Sequence, residues 1–157
     1  MVKQKPKVVI GRAEKVHFPT LNGLVLHARI DTGARTSSIW VLNAEENDKG
    51  LEVTFPNEEG KPAVTTTFEH YTQVKISSSM GHKQIRYRIT IPATIKNRRI
   101  QATFTLADRS TQVYPVLIGR RTLTRKFIVD VSLGSILHEE EEARSAELQE
   151  LIEEKVV

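Results

Sequence analysis

The residue of this sequence best placed for chemistry is Asp31. Leu24, Leu26, Ala28 and Ile30 alternate with Val25, His27 and Arg29, the period of a half-buried β-strand that runs straight into Asp31-Thr32-Gly33. Carboxylates are rarely buried at the end of a core strand without a partner. Two carboxylates held about 3 Å apart cannot both ionise, so one becomes a base toward water and the other an acid toward a substrate carbonyl. The plainer alternative is a strand ending in an Asx-turn, with Asp31 bonding its own backbone and Gly33 supplying a positive φ. A second stretch bears on that choice. Tyr114-Pro115-Val116-Leu117-Ile118-Gly119-Arg120-Arg121-Thr122-Leu123-Thr124 reads as a short apolar strand, a glycine and one helical turn.

Together the two stretches resemble the retropepsin-like aspartic proteases, and most of all a cellular branch labelled RimK-associated or "ATP-dependent zinc" proteases. The run Asp31-Thr32-Gly33-Ala34-Arg35-Thr36-Ser37-Ser38, the pair Arg86-Tyr87 and Leu117-Ile118-Gly119-Arg120 carry the resemblance, which covers residues 8 to 137. It implies an all-β, retropepsin-like closed β-barrel and an aspartic endopeptidase that hydrolyses peptide or isopeptide bonds. Asp31, Thr32 and Gly33 would be catalytic. The chain has one Asp-Thr-Gly and, at 157 residues, little room for two lobes. The second carboxylate is therefore expected from another subunit, in a homodimer that brings Asp31 of each chain to a two-fold axis.

The resemblance gives the neighbours tasks. Thr32 would hydrogen-bond across the axis, and Gly33 would let the backbone approach the carboxylates. The Ala34 side chain has no donor to offer Asp31, which favours mildly acidic to neutral activity. Gly119 would let Val116-Leu117-Ile118 press against the active-site loop. Ala34, Arg35, Arg86, Tyr87, Gly119 and Arg120 are the expected substrate-binding residues. A hairpin between Val74 and Ile91 would be the flap, with Met80, Gly81 and His82 at its tip. Viral members carry an acid where this chain has Arg35, so Arg120 needs another partner, with Asp130 or a substrate carboxylate as candidates. Arg35, Arg86 and Arg120 are suited to reading carboxylates, since a guanidinium grips one with two parallel bonds.

No metal and no cofactor are expected, despite the branch's label. The five histidines (His17, His27, His70, His82, His138) form no His-Glu-x-x-His, and there is no cysteine. No Gly-x-x-x-x-Gly-Lys-Ser/Thr is present to cradle a nucleotide. Two readings of other classes stay open. One is a non-catalytic dimeric scaffold that keeps the fold. The other is a basic-surface nucleic-acid-binding β-barrel, for which Lys96-Asn97-Arg98-Arg99, Arg120-Arg121 and Arg125-Lys126 are the clusters. No aromatic residue is interleaved with them, so nucleic acid is not the expected partner.

Composition suits one soluble globular domain, with 39% hydrophobic and 27% charged residues. No apolar run approaches a membrane span, and no signal-peptide core follows the basic N-terminus, so a cytoplasmic protein with no membrane partner is expected. Charge is divided unevenly. Residues 1–137 hold 21 Lys+Arg against 11 Asp+Glu, whereas residues 138–157 hold two against eight. The expected division is a protease domain over 1–137 and an acidic C-terminal helix or tail over 138–157. A basic body suggests a peptide or protein substrate that is itself acidic.

Between these landmarks the chain reads as short strands at turn-marked intervals, hence a mostly-β barrel or sandwich. Residues 1–7 look like a frayed arm. Lys7–Arg12, Lys15–Phe18, Leu51–Phe55, Ala63–Phe68, Thr72–Ser77, Gln84–Ile91, Ile100–Leu106 and Phe127–Val131 are predicted strands, and Ser78-Ser79-Met80-Gly81-His82 a flexible hairpin tip. Asn43–Gly50 is predicted to be a polar loop, and Pro92 and Asn97 to lie in turns. A short helix is predicted near residues 120–125.

Overall fold

The computed structural model describes residues 4–77 and 80–156. Its strands are β1 (Val8–Ile10), β2 (Ala13–Phe18), β3 (Leu24–Ile30), β4 (Ser37–Trp40), β5 (Asn43–Asn47), β6 (Gly50–Pro56), β7 (Pro62–Phe68), β8 (Thr72–Ser77), β9 (Lys83–Ile95), β10 (Arg98–Ala107), β11 (Val116–Ile118) and β12 (Phe127–Val129). The helices are α1 (Arg120–Leu123) and α2 (His138–Val156). Hydrogen bonding runs β10-β4-β11-β3-β2-β9 and returns from β9 to β10, which closes a six-stranded barrel. β8 extends β9 outside this ring, β5-β6-β7 form a separate sheet, and β1 pairs in parallel with β12.

Alternation fills the interior. Leu26, Ala28 and Ile30 of β3 are buried in one core with Val16 and Phe18 of β2, Ile89, Ile91, Ala93 and Ile95 of β9, and Phe104 of β10. Phe18 and Phe104 meet edge to face at 5.8 Å. Lys96 and Asn97 take φ of 45° and 64° between β9 and β10, the left-handed geometry of a two-residue hairpin.

Four local expectations need correction. Asn43–Asn47 is a strand, not a loop, paired antiparallel with β6 from Asn43↔Thr54 to Asn47↔Gly50. It is an edge strand, so its polar side chains face solvent while its backbone still pairs. Pro92 lies inside β9, not in a turn. It falls between the residues that pair with β8 and those that pair with β2, where β10 is the neighbour and a missing N–H is tolerated. The last strand stops at Val129, and Val131 is exposed. Gly33 is not among the positive-φ glycines, so its role in the turn is not conformational.

Candidate active site

The Asp31 loop is held from three directions. Ile118 lies opposite Ile30 in the parallel β3–β11 pair, and the Asp31 N–H donates to the Ile118 carbonyl at 2.8 Å. Beyond Gly119, α1 begins. The first N–H groups of a helix have no partner within it. Here the Arg120 N–H donates to Ala34 O at 2.8 Å and the Arg121 N–H to Arg35 O at 3.1 Å. Arg120 adds its side chain, with Nη1 donating to Thr32 O at 3.2 Å and Gly33 O at 2.8 Å. That is the partner Arg120 needed. Asp130 is not it, because its carboxylate accepts from the Ser132 N–H at 2.9 Å.

Gly119 is where the two segments touch. A Cβ there would stand 2.4 Å from the Thr36 carbonyl oxygen, so only glycine fits. Its N–H donates to Ser37 Oγ at 3.0 Å, and that hydroxyl lies 2.6 Å from Thr122 Oγ1. Both hydroxyls are buried, and together they tie strand β4 to helix α1 beneath the loop.

Asp31 itself is half-buried at the top of this brace. Its Oδ1 accepts from the Gly33 N–H at 2.9 Å and from the Ala34 N–H at 3.2 Å. Ala34 thus serves Asp31 through its backbone although its side chain cannot. These two bonds fix the plane of the carboxylate. Among the described residues none donates to Oδ2, so one oxygen remains for water or a second carboxylate.

The other expected residues are dispersed. Thr32, Gly33, Arg35 and Arg120 are exposed around Asp31. Arg86 and Tyr87, adjacent on β9, point to opposite faces of the β8–β9 hairpin. The Tyr87 hydroxyl donates to Glu46 Oε1 at 3.0 Å, beside donors from Tyr71 at 2.9 Å and Gln73 at 2.6 Å. The Tyr71 and Tyr87 hydroxyls hold the Glu46 carboxyl below its usual range. At the hairpin tip, Met80 is 81% exposed and Gly81 has φ of 79°, while Ser78 and Ser79 lie outside the described residues. The basic clusters meet in one groove lined by Arg98, Arg121, Arg125 and Lys126. Arg98 is occupied there, donating to Pro6 O at 3.1 Å and Lys126 O at 2.9 Å and lying 5.9 Å over the Phe127 ring. Among the described residues, no group of three or more His, Asp or Glu is placed to hold a metal ion.

Sequence reasoning did not single out Arg12, Arg29, Arg109, Tyr114 or Glu141. Arg12 Nη1 contacts Glu141 Oε1 at 3.1 Å and Oε2 at 3.3 Å, and Nη2 reaches Oε2 at 3.3 Å. The Tyr114 hydroxyl donates to Glu141 Oε1 at 2.6 Å and accepts from the Leu137 N–H at 3.1 Å. The acidic helix is therefore attached to the body through its first turn.

Known proteins share this architecture. A solved Legionella pneumophila protein described as of unknown function superposes with a TM-score of 0.65 at 25% identity, over 82% of this chain and 97% of that one. A Shewanella pealeana protein named probable alpha-L-glutamate ligase is 30% identical over 85% of this chain. Proteins of the same name from Shewanella halifaxensis and Desulfotalea psychrophila are 28% and 27% identical over 90% and 85% of it. The chain spans only 30% to 32% of the length of these three relatives. A model of the retropepsin-like aspartic endopeptidase RimB matches residues 9–140, a span that takes in the whole barrel, the Asp31 loop and Gly119, and the chain belongs to this RimB-like family.

Proposed function

We propose that this chain is an aspartic endopeptidase whose site is completed at a two-fold axis by Asp31 of a second copy. The observation that carries the reading is the Asp31 carboxylate itself, oriented through Oδ1 by the Gly33 and Ala34 N–H groups with Oδ2 left open. Two such carboxylates across an axis share one proton, because both cannot ionise in contact. The ionised one takes a proton from water as the water oxygen attacks the scissile carbonyl carbon. The protonated one gives its proton to the carbonyl oxygen. Collapse of the tetrahedral intermediate returns a proton to the departing amine and restores the pair. Thr32 would bridge the two loops, Arg120 keeps the Thr32 and Gly33 carbonyls in place, and the β8–β9 hairpin would close over bound peptide.

Acidic peptides are the proposed substrates, and glutamate-rich ones first. Support comes from the basic body and from relatives that carry a region similar to this chain inside proteins named as glutamate ligases. A hydrolase acting on the bonds such ligases make is the chemical complement. A cytoplasmic place of action belongs to the same reading; among the described residues no helix is long and apolar enough to cross a membrane.

The test is Asp31→Asn in purified protein, assayed on glutamate-rich and neutral peptides at several pH values. Turnover should vanish while circular dichroism and Tm stay close to wild type. Undiminished turnover would refute the mechanism. A wild type without activity on any peptide, yet dimeric, would favour the scaffold.

A further inference from the structure

Between the barrel and α2 there is a crevice of about 550 Å³ lined by Arg12, Arg29, Ile30, Arg109, Leu117 and Glu141 among others, which reaches the residue that precedes Asp31 in the chain. Its position follows from the chain path, because Arg29 and Ile30, the last two residues of β3 before the Asp31 loop, both line it. Leu117 lies directly opposite Arg29 on β11, giving the crevice an apolar wall next to its charged one.

The charges are unbalanced. Arg109 is fastened by Nε to the Tyr114 carbonyl at 2.9 Å and by Nη1 to Ser38 Oγ at 3.2 Å. Burial lowers its pKa, and the positive charge of Arg29 nearby lowers it further. Among the described residues neither Arg29 nor Arg109 pairs with a carboxylate. The one acid in the crevice is Glu141, which is gripped by Arg12 and Tyr114. Like-charged guanidiniums facing a pocket with a single carboxylate make a site built for anionic side chains.

The helix that brings Glu141 has little else to hold it. From His138 to Lys155 only Glu141 and Arg144 are partly buried, and Leu148, Leu151 and Ile152 are 43%, 47% and 57% exposed. A helix packed for stability would bury an apolar stripe. This one inserts a carboxylate.

We propose that this crevice is the subsite that reads an acidic side chain of the substrate, with Arg29 and Arg109 as specificity-determining residues, and that Glu141 occupies it in place of that side chain until substrate displaces α2. The proposal rests on the peptidase reading for its purpose, but the binding step can be measured without catalysis. An internal occupant lowers apparent affinity by the fraction of time the site is free.

The test uses Asp31→Asn protein with α2 in place, which binds without cleaving, and two fluorescent hexapeptides, one of glutamate and one of glutamine. Adding Glu141→Ala should tighten binding of the glutamate peptide roughly tenfold, the scale of one charge-assisted contact, and leave the glutamine peptide unchanged. Arg29→Gln, an exposed position whose loss should not disturb folding, should abolish that gain. Glu141→Gln, which keeps the shape of the side chain, should give a similar gain and controls for damage to the helix. Equal affinity for both peptides, or a gain that survives Arg29→Gln, would overturn the subsite. Failure of the peptidase reading would look different, as selective glutamate binding with no Asp31-dependent cleavage in the parent protein.

Discussion

Gly119 lies so close to Thr36 that a side-chain carbon on it would stand 2.4 Å from the Thr36 carbonyl oxygen and 2.9 Å from the Thr36 nitrogen. This backbone-to-backbone contact joins β11 to the segment that follows Asp31. It has no flexible side chain that could yield. Gly119→Ala should therefore push the two segments apart and disturb the Asp31 loop, at a cost of roughly 3 kcal/mol from overpacking. Denaturant unfolding and activity measured on the same preparation check this. A variant of native stability and native turnover would show that the contact does not hold the site.

Ser37 predicts a milder result. Its hydroxyl accepts from the Gly119 N–H and meets Thr122 Oγ1, all within buried surroundings. Ser37→Ala leaves a buried N–H and a buried hydroxyl without that partner, which costs about 1–3 kcal/mol. The double variant Ser37→Ala/Thr122→Val removes the orphaned hydroxyl as well. It should recover part of the loss in denaturant unfolding, and a strictly additive result would argue against a shared network.

Attachment of α2 should depend on pH in a defined direction. Burial raises the Glu141 pKa, but the Tyr114 hydroxyl and Arg12, with His138 adding to them, outweigh it and leave it below the ordinary 4.5. A carboxyl with a depressed folded pKa stabilises the attached state above its unfolded pKa, and that contribution disappears as pH falls through the folded value. The helix should thus be held at neutral pH and released on acidification below 4.5. Amide exchange across residues 139–147, corrected for intrinsic rates, should lose protection over that range in wild type. In Glu141→Gln the protection should be lower at neutral pH and nearly constant. An acid transition retained in Glu141→Gln would assign the effect to other groups.

The difference between what could and could not be read from sequence follows chain distance. The alternation into Asp31 and the turn chemistry at Asn97 are local, and both appear in the structure as β3 and a left-handed hairpin turn. Gly119 became legible through its place after an apolar strand. The Arg12–Glu141 pair joins residues 129 apart and has no local pattern at either end, so it could not be anticipated. A charge run normally means a solvated face. In α2 that rule holds for Glu139, Glu140 and Glu142, which are exposed, and breaks at Glu141 because the chain path sets that residue against Tyr114. β5 looks like a loop in sequence for a related reason, since an edge strand can be polar at all but one position (Ala44) when its stability comes from pairing with β6.

The proposed dimer predicts behaviour that a monomeric enzyme cannot imitate. Val9 and Ile128 are direct neighbours in the parallel β1–β12 pair, and they are 49% and 51% exposed. Val131 and Leu133 follow at 73% and 49%. Such an apolar edge outside the barrel invites pairing with another chain unless it is covered. If a second copy covers it, Ile128→Lys should shift sedimentation toward monomer and reduce specific activity most at low protein concentration. Asp31→Asn protein should leave sedimentation unchanged, yet poison wild type on mixing. In an equal mixture that has exchanged subunits, about a quarter of the dimers retain two Asp31 carboxylates, so activity per wild-type chain should fall by about half. Activity that tracks wild-type concentration alone, whatever the excess of Asp31→Asn protein, would mean that each chain carries a complete site.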